Sequence, residues 1–369
     1  MVACTDNELN LVQEHVPSLT ASSDYDAIIQ DVEEFSLPEE LSSSTATIFP
    51  NVIGSSVNNT DFTHNHNEKA LLGRVLFYDN RMSKNNSISC ASCHKQQLAF
   101  SDDASLSFGF GGKQTIRNSM SITNPMLNSS FFWDSRSRSL EDLALRPVFD
   151  HVEMGMDSRE ELIAKISAES YYDELFEEAY GSDRITESRI SEALAAFVSS
   201  MFSGDSKFDE GLDQNFENYS ELEKHGMALF FNEKTQCASC HNGINFASPQ
   251  GFSSSNPYRR TDGTTNIGLD LVYEDPGFAD GKFKIPSLRN IALTGPYMHD
   301  GRFETLREVI DHYDHGIQAH EDLDPKLHNN GEPIRLNLTE LDKDALEAFL
   351  VSLTSKSILT DDKFSNPFD

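Results

Sequence analysis

The chain has 369 residues, 38% of them hydrophobic, and its 60 acidic against 29 basic side chains give a formal charge of −31. That length suits two domains, and a charge of this sign argues against nucleic acid and anionic membrane as partners, because both would repel it. No apolar run approaches the roughly 18 residues of a membrane span, so no spanning helix is expected.

In chain order, residues 1–60 are rich in Ser, Thr, Asn and acids and read as an N-terminal extension, a linker or a wrapping arm. Within it Cys4 follows Val2-Ala3, which resembles the end of a bacterial lipoprotein signal; a free terminal thiol is the alternative. Cys90-Ala91-Ser92-Cys93-His94 comes next, then a Gly-rich loop at Phe108 to Gly112. Thr186 caps a predicted helix with Ile190, Leu194, Phe197, Val198 and Met201 on one face and Gly204 at its end. Ser220 and Glu223 form a predicted capping box ahead of a second pentapeptide, Cys237-Ala238-Ser239-Cys240-His241. A loop from Ser253 to Gly268 follows. Thr305 and Glu308 then open a helix with Leu306, Val309, Ile310 and Tyr313 on one face. A last helix uses Leu341, Leu346, Phe349, Leu350 and Leu353.

Each pentapeptide has the spacing that tethers a c-type haem: two thiols three positions apart reach both porphyrin vinyl groups, and the next imidazole swings under the iron. A structural zinc site wants four sulfur or imidazole ligands, and the chain has no third cysteine pair, so zinc and disulfide readings fall away. The expectation is two covalently bound haem c groups, ligated by His94 and His241. The expected fold is all-α, two class I cytochrome c-like domains with few or no strands. They would span 61–212 and 213–355, with a C-terminal tail at 356–369.

Further motifs surround the pentapeptides in a fixed order. They are Leu72 to Asp79, Arg117-Asn118, Phe132-Trp133-Asp134-Ser135-Arg136, Pro147, Val152-Glu153-Met154, Lys282 to Asn290 and Thr294 to Gly301. Together, over roughly residues 65 to 355, the chain resembles the bacterial dihaem cytochrome c peroxidase and MauG family.

The resemblance implies that the haem at Cys90, Cys93 and His94 is the peroxide site and the haem at Cys237, Cys240 and His241 an electron relay. Tyr313 matches the relay's second axial ligand, tyrosine in MauG-like members and methionine in the peroxidases; Met298 is the rival, and a core tyrosine is the plain alternative. Phe110 stands where classical members carry a distal histidine, and no histidine lies between His94 and His151, so the first haem is expected to be five-coordinate and open. Glu153 matches the acid/base carboxylate, with His151 read as a surface residue. Trp133, the single tryptophan, matches an electron or hole relay between the haems. Asn118, Thr294 and Pro296 match an interdomain calcium site of oxygen ligands, a hard set that suits Ca²⁺.

The expected function is reduction of hydrogen peroxide with electrons from a small periplasmic donor, a cytochrome c or copper protein. The runner-up is a MauG-like oxidase acting on Trp or Tyr side chains of a partner protein. The tryptophan that MauG carries shortly before its second haem motif is replaced here by Thr235. A plain electron carrier is the third reading, disfavoured by an open iron. Covalent haem attachment implies a periplasmic protein, with lipid anchoring at Cys4 in play.

Overall fold

The computed structural model describes residues 66–247 and 263–368. Cys4, the extension at 1–60 and most of the Ser253–Gly268 loop lie outside them. The described chain is mostly helical. Its helices are α1 (His66–Tyr78), α2 (Leu140–Phe149), α3 (Arg159–Ile166), α4 (Tyr171–Tyr180) and α5 (Glu187–Ser199). Then come α6 (Lys207–Asp213), α7 (Glu221–Phe231), α8 (Leu306–Asp311), α9 (Glu340–Val351) and the single turn α10 (Ser357–Thr360). Strands are confined to two antiparallel two-stranded ribbons, β1 (Thr264–Thr265) with β2 (Phe283–Lys284) and β3 (His328–Asn329) with β4 (Glu332–Pro333).

The same packing device occurs twice. A Cβ added at Gly73 of α1 would lie 2.0 Å from the Ala193 carbonyl oxygen of α5, and one at Gly226 of α7 would lie 1.8 Å from that of Ala345 in α9. Only hydrogen fits at either crossing, so each helix pair closes to backbone contact. Beside each crossing an aromatic pair fills the angle, Phe77 on Phe197 with centroids 5.3 Å apart and Phe230 on Phe349 at 5.0 Å. Edge and tilted geometries of this kind add to the area they bury.

Two apolar clusters result. Leu72, Leu76, Phe100, Phe176 and Phe197 belong to the first, and Phe246, Tyr297, Leu306, Ile310 and Phe349 to the second. Phe208 already packs in the second cluster, a few residues ahead of 212. The 356–368 segment returns to the first, burying Ile358 and Phe364 there, while Arg74 donates to the Ser365 and Asp362 carbonyls at 2.7 and 2.9 Å.

The predicted capping boxes at Ser220/Glu223 and Thr305/Glu308 are present, and Thr186 caps α5. Three details differ from expectation. First, α5 stops at Ser199, well before Gly204, because the Ser199 and Ser200 hydroxyls donate back to the Ala196 and Phe197 carbonyls at its end. Second, Leu341 is 61% exposed. It sits in the first turn of α9, where a side chain leans past the helix start. Third, the helix carrying Tyr313 does not continue as α: after Asp311 it widens into a π turn, His312–Gly316.

Candidate active site

Both Cys-Ala-Ser-Cys-His motifs fold alike. Cys90–Ser92 and Cys237–Ser239 are single 3₁₀ turns, and the His94 and His241 amides donate back to the Cys90 and Cys237 carbonyls at 3.0 and 2.9 Å. This turn gathers two thiols and an imidazole on a short stretch of backbone. All four sulfurs are unbridged and half-buried. Burial pushes the Cys90 thiol up to about 12 and those of Cys93 and Cys237 up to about 11, so they stay neutral.

His94 Nδ1 lies 2.9 Å from the Phe100 carbonyl, and His241 Nδ1 lies 3.1 and 3.2 Å from those of Phe246 and Pro286. A carbonyl only accepts, so Nδ1 carries the proton and Nε2 keeps its lone pair for a metal. Burial pulls both imidazoles below their ordinary value, His241 to about 4, which keeps them neutral and ligand-competent. The carbonyls are aimed by left-handed residues, Phe100 at φ 58° and Phe246 at φ 46°.

Behind the second motif lies a mainly apolar cavity. Cys237, Cys240 and His241 share its lining with Leu306, Ile310, Leu346 and Leu350, and both Tyr313 and Met298 border it. Free thiols, a neutral imidazole backed by a carbonyl and an apolar chamber are the donor set and environment a haem needs, so the residues fit the group. Tyr313 and Met298 both line this cavity, so the structure leaves each as a candidate second ligand. Tyr313 rides on the π turn, which Lys343 pins by ion pairs to Asp311 at 2.6 Å and Asp314 at 3.1 Å. These two acids and His315 cluster closely, but Lys343 supplies their countercharge.

On the first side, Glu153 shares a cleft with Phe132, Arg136, Leu145, Phe149 and Asp150. Burial, reinforced by the Asp150 carboxylate and only partly offset by Arg136, raises its carboxyl to about 7. Its charge is also felt at Cys90 and Cys93, which puts it on the side of the first motif. Asp150 fixes the loop by accepting from the Val152 and Glu153 amides at 2.7 and 3.1 Å. The Phe110 amide donates to the Glu153 carbonyl at 2.9 Å, and its ring closes over Gly155, where a Cβ would sit 2.2 Å from it. Phe110 and Glu153 are thus neighbours. His151 is exposed, as read from the sequence.

Trp133 ties the two sides together. Its Nε1 donates to the Asn118 carbonyl at 2.9 Å and its own carbonyl accepts from the Lys284 amide at 2.6 Å. Beside it Arg117 bonds Asp275 through two nitrogens, at 2.6 and 2.8 Å, and Asp134 at 2.6 Å. Trp133 lines the same cavity as Asn118, Thr294 and Pro296. Asn118 spends its Nδ2 on the Ala104 and Ser105 carbonyls at 3.3 and 3.2 Å, which leaves Oδ1 as the acceptor a hard cation would take. The Thr294 and Pro296 carbonyls accept no backbone hydrogen bond among the described residues.

Two residues of this region were not singled out from the sequence. Lys284 is 4% exposed and His299 5%, the latter with an unpartnered Nδ1 and a ring stacked 3.7 Å from Phe283. Lys284 alternates with Phe283 and Lys282 as an exposed residue would, yet the folded chain buries it.

A pair of haem-competent sites bridged by a tryptophan, with a high-pKa carboxyl on one side, defines a dihaem oxidoreductase of the peroxidase type. Comparison with known proteins agrees: a family model described as di-haem cytochrome c peroxidase matches residues 67–217. The methylamine utilization protein MauG of Methylophilus methylotrophus is 30% identical over 287 residues, 78% of this chain and 82% of its own. The cytochrome c551 peroxidase of Nitrosomonas europaea is 36% identical over 250 residues, 66% of this chain and 72% of its own. A crystal structure of a MauG-like protein associated with microbial copper homeostasis superposes with a TM-score of 0.73 at 34% identity, covering 82% of this chain and 93% of that one. The chain belongs to the di-haem cytochrome c peroxidase and MauG family.

Proposed function

We propose that the protein is a periplasmic dihaem c-type peroxidase that reduces hydrogen peroxide to water with electrons from a small redox protein. The reading has one cytochrome c-like domain around each haem. Cys90 and Cys93, and Cys237 and Cys240, would form the thioethers, with His94 and His241 as proximal ligands. Bound there, the haems supply an iron that takes peroxide and a store for the oxidising equivalents its reduction leaves. Phe110 offers no atom that can ligate iron, which favours an open peroxide site in the resting protein.

The observation that carries the reading is Glu153, whose carboxyl at about 7 is half ionised at neutral pH beside that site. Ionised, it takes a proton from one peroxide oxygen; it then returns that proton to the departing oxygen as the O–O bond breaks. Two electrons and two protons complete the balance to two waters. Trp133, hydrogen-bonded to Asn118 and Lys284, would carry electrons from the relay side. Asn118, Thr294 and Pro296 would hold Ca²⁺ at the same junction.

A second reading, oxidation of Trp or Tyr side chains on a partner protein, is favoured by Tyr313 at the relay cavity and by the likeness to MauG and the copper-homeostasis protein. Thr235 in place of MauG's tryptophan argues against methylamine dehydrogenase maturation itself. Steady-state peroxide turnover with reduced cytochrome c, set against peroxide-dependent modification of periplasmic proteins, decides between them. Fast turnover with the cytochrome supports the peroxidase; slow turnover with partner modification replaces it by the protein oxidase.

A further inference from the structure

Cations buried among the described residues are given polar partners: Arg74 has the Ser365 and Asp362 carbonyls and the Ser365 hydroxyl, and the others have carboxylates. Arg289 pairs with Asp209, Arg117 with Asp134 and Asp275, Lys343 with Asp311 and Asp314, and Lys282, two residues from Lys284, with Asp322. Lys284 is the exception. Its backbone is held on both sides, in register with Thr264 across the β1–β2 ribbon and by its amide bond to Trp133. Its side chain is 4% exposed and lines the cavity behind Cys237, Cys240 and His241. Among the described residues its ammonium makes no hydrogen bond and no ion pair, and burial alone lowers it to about 8. His241 feels its charge, so it stands close to the proximal imidazole.

An unpaired ammonium in an apolar chamber is costly unless an anion or a set of acceptors meets it. No carboxylate among the described residues does so. The group expected in that chamber carries its own two carboxylates. A second polar atom of the same lining, the orphaned Nδ1 of His299, likewise awaits a partner.

We propose that Lys284 is the cation that binds a propionate of the haem held by Cys237, Cys240 and His241, and that its charge raises the reduction potential of that haem. The inference rests on the dihaem reading above. Reduction adds one negative charge to the haem, and a fixed cation at its edge stabilises the reduced form more than the oxidised one. The relay would then draw electrons from a donor more readily, with Trp133 one hydrogen bond away.

The test is spectroelectrochemical titration of the full-length holoprotein, with whole-protein mass recorded on the same samples. Lys284→Met should keep two haems by mass and shift the ferric–ferrous equilibrium of the His241 haem at least tenfold toward ferric, about 59 mV for one electron. Lys284→Arg, which keeps the charge, should stay within a fraction of that shift. Lys284→Gln, neutral and of similar length, replaces Lys284→Met if the latter does not accumulate. An unchanged potential in the neutral variants, an equal shift in Lys284→Arg, or a shift confined to the His94 haem would overturn the proposal. A wild-type mass lacking the two haems would instead remove the dihaem reading beneath it.

Discussion

Glu153 sits where a carboxyl must both accept and return a proton, and its environment sets the pH at which it can. Burial and Asp150 place it at about 7. Its folded value is raised above the usual 4.5, so the folded state holds the proton through the window from about 4.5 to 7 and ionises above it. The rate at which the oxidised enzyme reacts with peroxide should therefore climb with pH up to about 7 and then level off. Glu153→Gln should flatten that limb and slow O–O cleavage by about 10² to 10⁴, read by stopped-flow spectroscopy; an unchanged profile would remove Glu153 from the chemistry. At the neighbouring position, Phe110→His should convert the first haem to low spin and make activity depend on prior reduction, because a tethered imidazole has a high effective concentration at the iron. Electron paramagnetic resonance of the oxidised protein reads this directly. On the relay side, Tyr313→Phe should turn the second haem high-spin or recruit a new ligand, while Met298→Leu leaves its spectrum unaltered. A methionine-to-iron charge-transfer band in the wild type would reverse that assignment.

The helix pairs and the π turn set the site's geometry. At Gly226 any side chain meets the Ala345 carbonyl, so Gly226→Ala must push α7 off α9 and distort the wall that carries Cys237 and His241. Overpacking of this kind costs about 1–3 kcal/mol, which should appear as a lower Tm in calorimetry, whereas Gly111→Ala, in open space, should leave Tm unchanged. The π turn follows a similar logic. One wide turn re-aims Tyr313 relative to α8, and Lys343 holds it by pairing with acids on either side of that residue. Such turns are uncommon and recur at functional sites.

Across the whole molecule the dominant quantity is charge. With −31 in total, association with a basic redox donor should be steered electrostatically. The second-order rate of electron delivery should fall steeply as ionic strength rises from 0.01 to 0.1 M, where the screening length shrinks from about 30 to 10 Å. A neutral or acidic donor would show no such fall.

The sequence by itself determined whatever depends on residues close along the chain. Two thiols and an imidazole within five positions must share a turn, so both pentapeptides were legible, as were the capping boxes at Ser220/Glu223 and Thr305/Glu308, whose partners lie three residues apart. Their order along the chain, with the motifs around them, carried the family. The tertiary structure decided what depends on groups far apart in sequence. Glu153 owes its raised carboxyl to burial in a cleft built from α2 and α5. Lys284, which alternates like a surface residue, is buried in the folded chain, where its backbone pairs with Thr264 and Trp133 and its side chain lines the cavity of the second motif. The π turn under Tyr313 answers to Lys343, 30 positions on. Local spacing fixes which atoms can share a turn, but burial, and with it proton affinity and the need for a countercharge, is a property of the packed chain alone.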